Sequence, residues 1–162
     1  MRPALLALAL AGCATVPPPR PICYVFVMPD CPIANAYAPE IARIAADFPQ
    51  FDFTMVYVDG DEATARRHAS DYRLPGRVVV DANRALTKSL GATIVPEAAI
   101  VGVDGRIAYR GRIDDRFPRP GVRRWEPTTR DLRDALAAVV AGRTVAVATT
   151  EAVGCFIPEV DP

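Results

Sequence analysis

The chain has 162 residues, 51% of them apolar, and its 19 basic side chains are balanced by 19 acidic ones, so the formal net charge is zero. That balance excludes an electrostatic surface for nucleic acid, and the scattered arginines read as solvated faces. Beyond a short apolar leader about 150 residues remain, enough for one domain with a full core.

The leader holds one basic residue, Arg2, followed by the apolar run from Ala4 to Ala11. A bilayer crossing needs about 20 apolar residues, so this run fits a secretory signal instead. Its end, Leu10-Ala11-Gly12-Cys13, resembles the bacterial lipobox. That resemblance implies a lipid on Cys13 as the mature N-terminus, and a lipid-anchored protein on the periplasmic or extracytoplasmic side of the envelope. The alternative is an ordinary signal peptide that contains a cysteine. Residues 1–12 are thus expected as signal and residues 13–21 as a tether, stiffened by Val16-Pro-Pro-Pro-Arg-Pro21.

Tyr24-Val-Phe-Val-Met28 reads as a buried strand. Pro29 and Asp30 break it, and Cys31 follows. Pro32 falls where a helix takes its first residue, since its φ is already helical and its missing N–H is not needed there. From Ile33 onward Tyr37, Ile41, Ile44 and Ala45 recur at helical spacing. Cys31 is therefore expected at the mouth of a helix, where unpaired backbone N–H groups and the helix dipole favour negative charge. A thiolate there is a nucleophile. The plainer reading is a small buried hydrophobe.

Phe51–Val58 reads as a second, mostly buried strand. Asp61 is a plausible cap for a helix from Glu62 to about Tyr72. His68 falls within that helix and reads as an exposed or half-buried histidine without a role. Val78–Val80 is a short strand, and Asn83–Leu90 a short helix closed by Gly91. Strand–helix alternation of this kind predicts a parallel sheet covered on both faces. Val95-Pro96 opens an apolar strand, Asp104-Gly105 is a hairpin turn, and Arg106–Arg112 returns antiparallel. Thr128 or Thr129 is expected to cap a last helix whose apolar face is Leu132, Ala135, Leu136, Val139 and Val140. The folded domain is expected over residues 22–142. An extended tail, residues 143–162, carries Cys155.

Of the four cysteines, setting Cys13 aside leaves Cys23, Cys31 and Cys155. In an exported protein an odd number implies one pair plus a free thiol, or a redox thiol in turnover. Metal-ligand spacing is lacking, because His68 is the only histidine and no Cys-x-x-Cys occurs. No metal or other cofactor is expected.

The segment around Cys31 resembles the active-site turn of the thioredoxin-like superfamily, with Pro39 matching the proline that kinks its first helix. In that superfamily a second cysteine stands three residues on, where this chain has Ala34, and a buried acid lies where it has Val25. Asp30-Cys-Pro-Ile33, Val95-Pro-Glu97, Tyr109-Arg-Gly-Arg-Ile-Asp-Asp115, Arg130-Asp-Leu-Arg-Asp-Ala-Leu136 and Gly154-Cys155 together resemble the bacterial peroxiredoxin-like redoxins, related to alkyl hydroperoxide reductase and thiol-specific antioxidant proteins. Met28 stands where peroxiredoxins carry a threonine. The resemblance implies an α/β fold, a thioredoxin-like three-layer α/β/α sandwich with a mixed central sheet. It also implies a cis Val95–Pro96 bond beside Cys31, with Pro32, Val95 and Pro96 meeting the substrate.

Three functions follow. In the first, Cys31 is the nucleophile of an envelope thiol–disulfide oxidoreductase and Cys155, lacking a local rival, is its resolving thiol. The partners would be a protein or small-molecule disulfide, an external thiol donor, and the membrane through the N-terminal lipid. In the second, a thiol peroxidase, Cys31 is oxidised by peroxide to a sulfenic acid and resolved by Cys155. The third is a non-enzymatic envelope module holding a soft metal such as Cu(I) with Cys31, Cys155 and Met28. Besides pairing with Cys31, Cys155 could bridge to Cys23 or do nothing.

Overall fold

A computed structural model describes residues 18–158. The leader and Cys13 lie outside the described residues. The tether enters them at Pro18, and its Arg20 pairs with Asp52 at 3.0 Å and donates to the carbonyls of Pro49, Gln50 and Phe51.

The elements follow in the order β1 (Ile22–Val27), α1 (Pro32–Asp47), β2 (Asp52–Tyr57), α2 (Glu62–Asp71), β3 (Arg77–Val80), α3 (Ala85–Leu90), β4 (Ile94–Val95), β5 (Glu97–Val101), β6 (Ile107–Gly111), α4 (Asp131–Val140) and β7 (Cys155–Phe156). Five strands form the central sheet in the order β3-β2-β1-β5-β6, and β4 and β7 form a separate pair. β1, β2 and β3 run parallel, while β5 lies antiparallel to β1 and β6 antiparallel to β5. The sheet is thus mixed, as the resemblance implied. The Asp104-Gly105 hairpin reverses the chain, and no crossover helix intervenes between β5 and β6.

β2 buries both of its faces, Phe53, Met55 and Tyr57 on one and Thr54 and Val56 on the other, which requires cover on both sides. The result is the three-layer α/β/α sandwich of the thioredoxin-like fold. α1 buries Ala34, Tyr37, Ala38, Ile41 and Ile44, so deleting one of its isoleucine side chains would cost roughly 2–5 kcal/mol. α4 lies beside α1, held by Arg133 to Glu40 at 2.8 Å and to Asp47 at 2.7 Å, and buries Leu132, Ala135, Leu136 and Ala138.

One local expectation is corrected. Neither Thr128 nor Thr129 caps α4: the N-cap is Arg130, with no side-chain cap bond. Both threonine amides instead donate to Asp115 Oδ1, at 2.6 and 3.0 Å, because a buried carboxylate needs donors and takes those the loop presents. The Tyr109–Asp115 segment is a clamp of the same kind. Arg112 forks onto Asp131 at 2.9 and 3.1 Å, Tyr109 Oη donates to the Arg112 carbonyl at 2.6 Å, and Tyr37 Oη donates to Asp114 Oδ1 at 2.6 Å. These bonds seat α4 and the loop before it against β6 and α1.

Beyond α4 the tail runs back extended along β6, where Arg110 exchanges backbone hydrogen bonds with Ala148 and Thr150, at 2.9 and 3.0 Å. Gly111 makes this approach possible. Its φ is +148°, and a Cβ there would meet Thr150 at about 2.2 Å. From Thr150 the chain continues to β7 and the site.

Candidate active site

Cys31 is built by the end of β1. β1 lies between a parallel and an antiparallel neighbour, and at such a switch point the chain ends leave a crevice. The turn Pro29–Asp30 closes with the Cys31 amide donating to the Met28 carbonyl at 3.2 Å. Cys31 is the N-cap of α1, with φ −88° and ψ 108°, and its side chain makes no cap bond. Pro32 is exposed at the first helical position. The Cys31 sulfur therefore sits at the positive end of a 16-residue helix, and it is fully buried.

The opposite wall comes from the register of β5. Phe26 pairs with Glu97, so Pro96 lies just beyond the pairing of β1 and β5, and Val95 reaches past it toward Cys31. The Val95–Pro96 bond is cis, and the Cys31 thiol donates to the Val95 carbonyl at 3.3 Å. Glu97 shapes this segment. Its buried carboxylate accepts from the amides of Thr93 at 2.9 Å and Ile94 at 3.4 Å, and Arg110 stands 3.7 Å away on its other oxygen.

Cys155 joins from the tail. β7 pairs antiparallel with β4, with Val95 opposite Cys155 and Ile94 opposite Phe156, and the Ile157 amide donates to the Thr93 carbonyl at 3.1 Å. One backbone position, Val95, is thus shared by both thiols. The Cys155 thiol is pushed up to about 11, first by burial, then by its hydrogen bond and charge interaction with Cys31. Cys31, Pro32, Val95, Pro96 and Cys155 all meet at this place. Cys23 does not. It pairs with Phe53 and Ile100 inside the sheet, roughly 13 Å along the strand from its end at about 3.3 Å per residue, and burial holds its thiol far above the usual range. The three described cysteines are all free thiols.

Behind the turn lies a group that the helical pattern did not single out. His68 is buried, not exposed. Its Nδ1 meets Tyr57 Oη at 2.8 Å, its Nε2 meets Asn35 Oδ1 at 2.9 Å, and Asn35 Nδ2 donates to the Pro29 carbonyl at 2.9 Å. The asparagine oxygen only accepts, so Nε2 carries a proton, and with the tyrosine donating to Nδ1 a neutral imidazole makes all three bonds. Burial also lowers the His68 pKa, against the opposing pull of Asp71 and Asp30. The chain ties α2 and the start of α1 to the turn that carries Cys31. A polar residue in the first turn of α1, Asn35 next to the buried Ala34, was the available signal.

The fold and the thiol site define a thioredoxin-like protein. The redoxin family model matches residues 18–123, and the chain belongs to that family. No curated protein matches it by sequence. Among solved structures it is similar to an uncharacterised conserved protein of Geobacillus kaustophilus, 23% identical, with a TM-score of 0.76 over 88% of this chain and 79% of that one. A hypothetical protein of Sinorhizobium meliloti is 22% identical, with a TM-score of 0.74 over 88% and 81%. A secreted Mycobacterium tuberculosis disulfide oxidoreductase, described as homologous to DsbE of E. coli, is 22% identical, with a TM-score of 0.55 over 74% and 81%.

Proposed function

We propose that this redoxin is a thiol–disulfide oxidoreductase of the cell envelope, with Cys31 as nucleophile and Cys155 as resolving thiol. The observation that carries the reading is the shared position at Val95, which receives the Cys31 thiol on its carbonyl and Cys155 as its strand partner. Ala34 leaves Cys31 without a neighbour in its own helix, and the tail supplies one.

In the reducing direction the Cys31 thiolate attacks one sulfur of a substrate disulfide. A bond forms to that sulfur, the disulfide breaks, and the other sulfur leaves as a thiolate that takes a proton. Cys155, as thiolate, then attacks the Cys31 sulfur and expels the second substrate thiol. Two electrons pass to the substrate and a Cys31–Cys155 disulfide remains, which an external dithiol reduces. The reverse sequence oxidises a dithiol. α1 contributes its dipole to the sulfur that carries charge, and Cys155 is kept a thiol first by its burial and then by its hydrogen bond and charge interaction with Cys31.

The solved disulfide oxidoreductase of M. tuberculosis supports this reading of chemistry, and its description as secreted supports an extracytoplasmic location. We place the lipid on Cys13, with residues 13–21 as the tether to the membrane. Pro32, Val95 and Pro96 are the substrate-facing residues.

Peptide mapping of the oxidised mature protein is the test. It is expected to link Cys31 to Cys155, and the intact mass is expected to carry a lipid on Cys13. A Cys23–Cys155 link, or a free Cys155 with turnover unchanged in Cys155→Ser, overturns the resolving role. Consumption of peroxide, but not of disulfide, at the expense of added thiol would assign the peroxidase chemistry instead.

A further inference from the structure

Cys31 is fully buried, yet a disulfide exchange needs an in-line approach to its sulfur. What stands against its wall of cis-proline backbone is the chain's own tail. β7 is two residues long, and the Ile157–Thr93 bond extends its pairing with β4 by one residue. Phe156, in the middle of that contact, is 82% exposed and does not anchor it. The last described link is a long 3.4 Å bond from Arg84 Nε to the Pro158 carbonyl. Cys155 and Ile157 pack on the core but stay only partly buried, and a segment with no fully buried side chain opens at lower cost than the domain unfolds. Once it leaves, Thr93, Ile94 and Val95 present an unpaired strand edge beside Cys31, of the kind that takes up an extended polypeptide by main-chain pairing.

The tail also shows what such a polypeptide must look like. Val95 opposite Cys155 fixes the register, and that register puts Gly154 against the Val95 backbone. A Cβ on Gly154 would come within about 1.9 Å of the Val95 carbonyl oxygen and 2.7 Å of its carbon. These are backbone atoms, the carbonyl being the one that Cys31 holds, so they have no room to yield. The residue after the cysteine is unrestricted, because Phe156 points to solvent.

We infer that the Gly154–Ile157 tail is a displaceable occupant of a polypeptide-binding edge on β4, and that the substrates are extended chains whose reactive cysteine is preceded by glycine. This deepens the oxidoreductase reading and rests on it for the chemistry. Tail and substrate then exclude each other. The substrate enters as the tail leaves, Cys31 captures its Gly-Cys sulfur, and the returning tail both delivers Cys155 and displaces the product from the same edge.

The test uses the reduced mature chain with Cys155→Ser, so that no internal disulfide forms, and reads alkylation of Cys31 by iodoacetamide with mass-spectrometric assignment. Adding Gly154→Val is expected to raise the Cys31 labelling rate at least about tenfold, with Cys23 still protected as the internal sign that the domain is folded. Ile157→Pro, which removes the donor to Thr93, is expected to act in the same direction and replaces Gly154→Val if that variant exposes Cys23. The free peptide Val-Gly-Ser-Phe-Ile is expected to restore protection, and Val-Val-Ser-Phe-Ile is not. Unchanged labelling in the folded variants overturns the displaceable tail, and equal protection by the two peptides overturns the glycine rule. No step of this assay is a redox reaction. The strand edge is therefore judged independently of whether Cys155 resolves Cys31, which the disulfide map decides.

Discussion

The two walls around Cys31 are built to different strengths. On the α1 side the turn is tied through Asn35 and His68 to Tyr57, by three side-chain bonds between 2.8 and 2.9 Å, and His68 and Tyr57 are buried. On the tail side a two-residue strand rests on another two-residue strand, with an exposed phenylalanine at its centre. A nucleophile must be held in one place while its partner comes and goes. In the proposed exchange the firm wall fixes the nucleophilic sulfur at the helix mouth, and the weak wall carries the resolving thiol, which has to move.

The largest expected effect removes the fixed partner. Cys31→Ser should abolish disulfide exchange, at least about 1000-fold, since a serine hydroxyl does not replace a thiolate. Residual turnover through Cys155 alone would invert the assignment of the two walls.

Removing the moving partner is expected to be milder and to separate the two steps. In Cys155→Ser the first attack persists and a Cys31 mixed disulfide accumulates, so in a single turnover of the reduced protein without added thiol the release of the second substrate thiol slows by roughly 100-fold. Release of both substrate thiols at the original rate in that single turnover would show that the tail plays no part.

The pH dependence sharpens the same contrast. In a Cys31 mixed disulfide the Cys31 thiol no longer contributes to raising the Cys155 thiol, and burial, the largest cause, is what holds it up; at neutral pH Cys155 is mostly protonated and its thiolate fraction grows as pH rises. Release of a preformed Cys31 mixed disulfide by Cys155 should therefore accelerate by up to about tenfold per pH unit between roughly pH 7 and 9. A rate flat over that range, followed by stopped-flow release of a chromogenic thiol, would show that Cys155 is not the attacking group.

The smallest effect lies in the firm wall. Asn35→Ala leaves the His68 Nε2–H and the Pro29 carbonyl without their partner, at a cost of about 1–3 kcal/mol in denaturant unfolding. His68 adds a pH signature. Its folded pKa is lowered by burial, so below its ordinary value of ~6.5 the unfolded chain binds the proton more readily. That contribution is complete above ~6.5 and is lost as pH falls through the folded value. His68→Gln should flatten the acid limb of the stability curve, and an unchanged acid limb would remove His68 from the wall.

Much of this was legible in the amino-acid order, because it depends on neighbours along the chain. Val25 to Val27 before a Pro-Asp break, Pro32 at a helix start and Ile41 three residues from Ile44 set a strand, a turn and a helix with Cys31 at their junction, and local sterics suffice for that. The resemblance to redoxins supplied the bend at Pro96, while strand–helix alternation pointed to the parallel half of the sheet and the Asp104-Gly105 hairpin to its antiparallel edge. His68 looked idle, since helical periodicity reports only which face is apolar. Its value comes from Tyr57 and Asn35, 11 and 33 residues away in sequence, and only folding brings them together. The same holds for Thr128 and Thr129, which a local rule assigns to a helix cap and which Asp115 claims instead. The meeting of Cys31 with Cys155 is the clearest case. The sequence by itself determined that Cys31 had no thiol within its own helix. The return of the tail along β6, permitted by Gly111, and the fit of Gly154 against the Val95 carbonyl decided which thiol stands beside it, because a register between strands 60 residues apart is a property of packing and not of local preference.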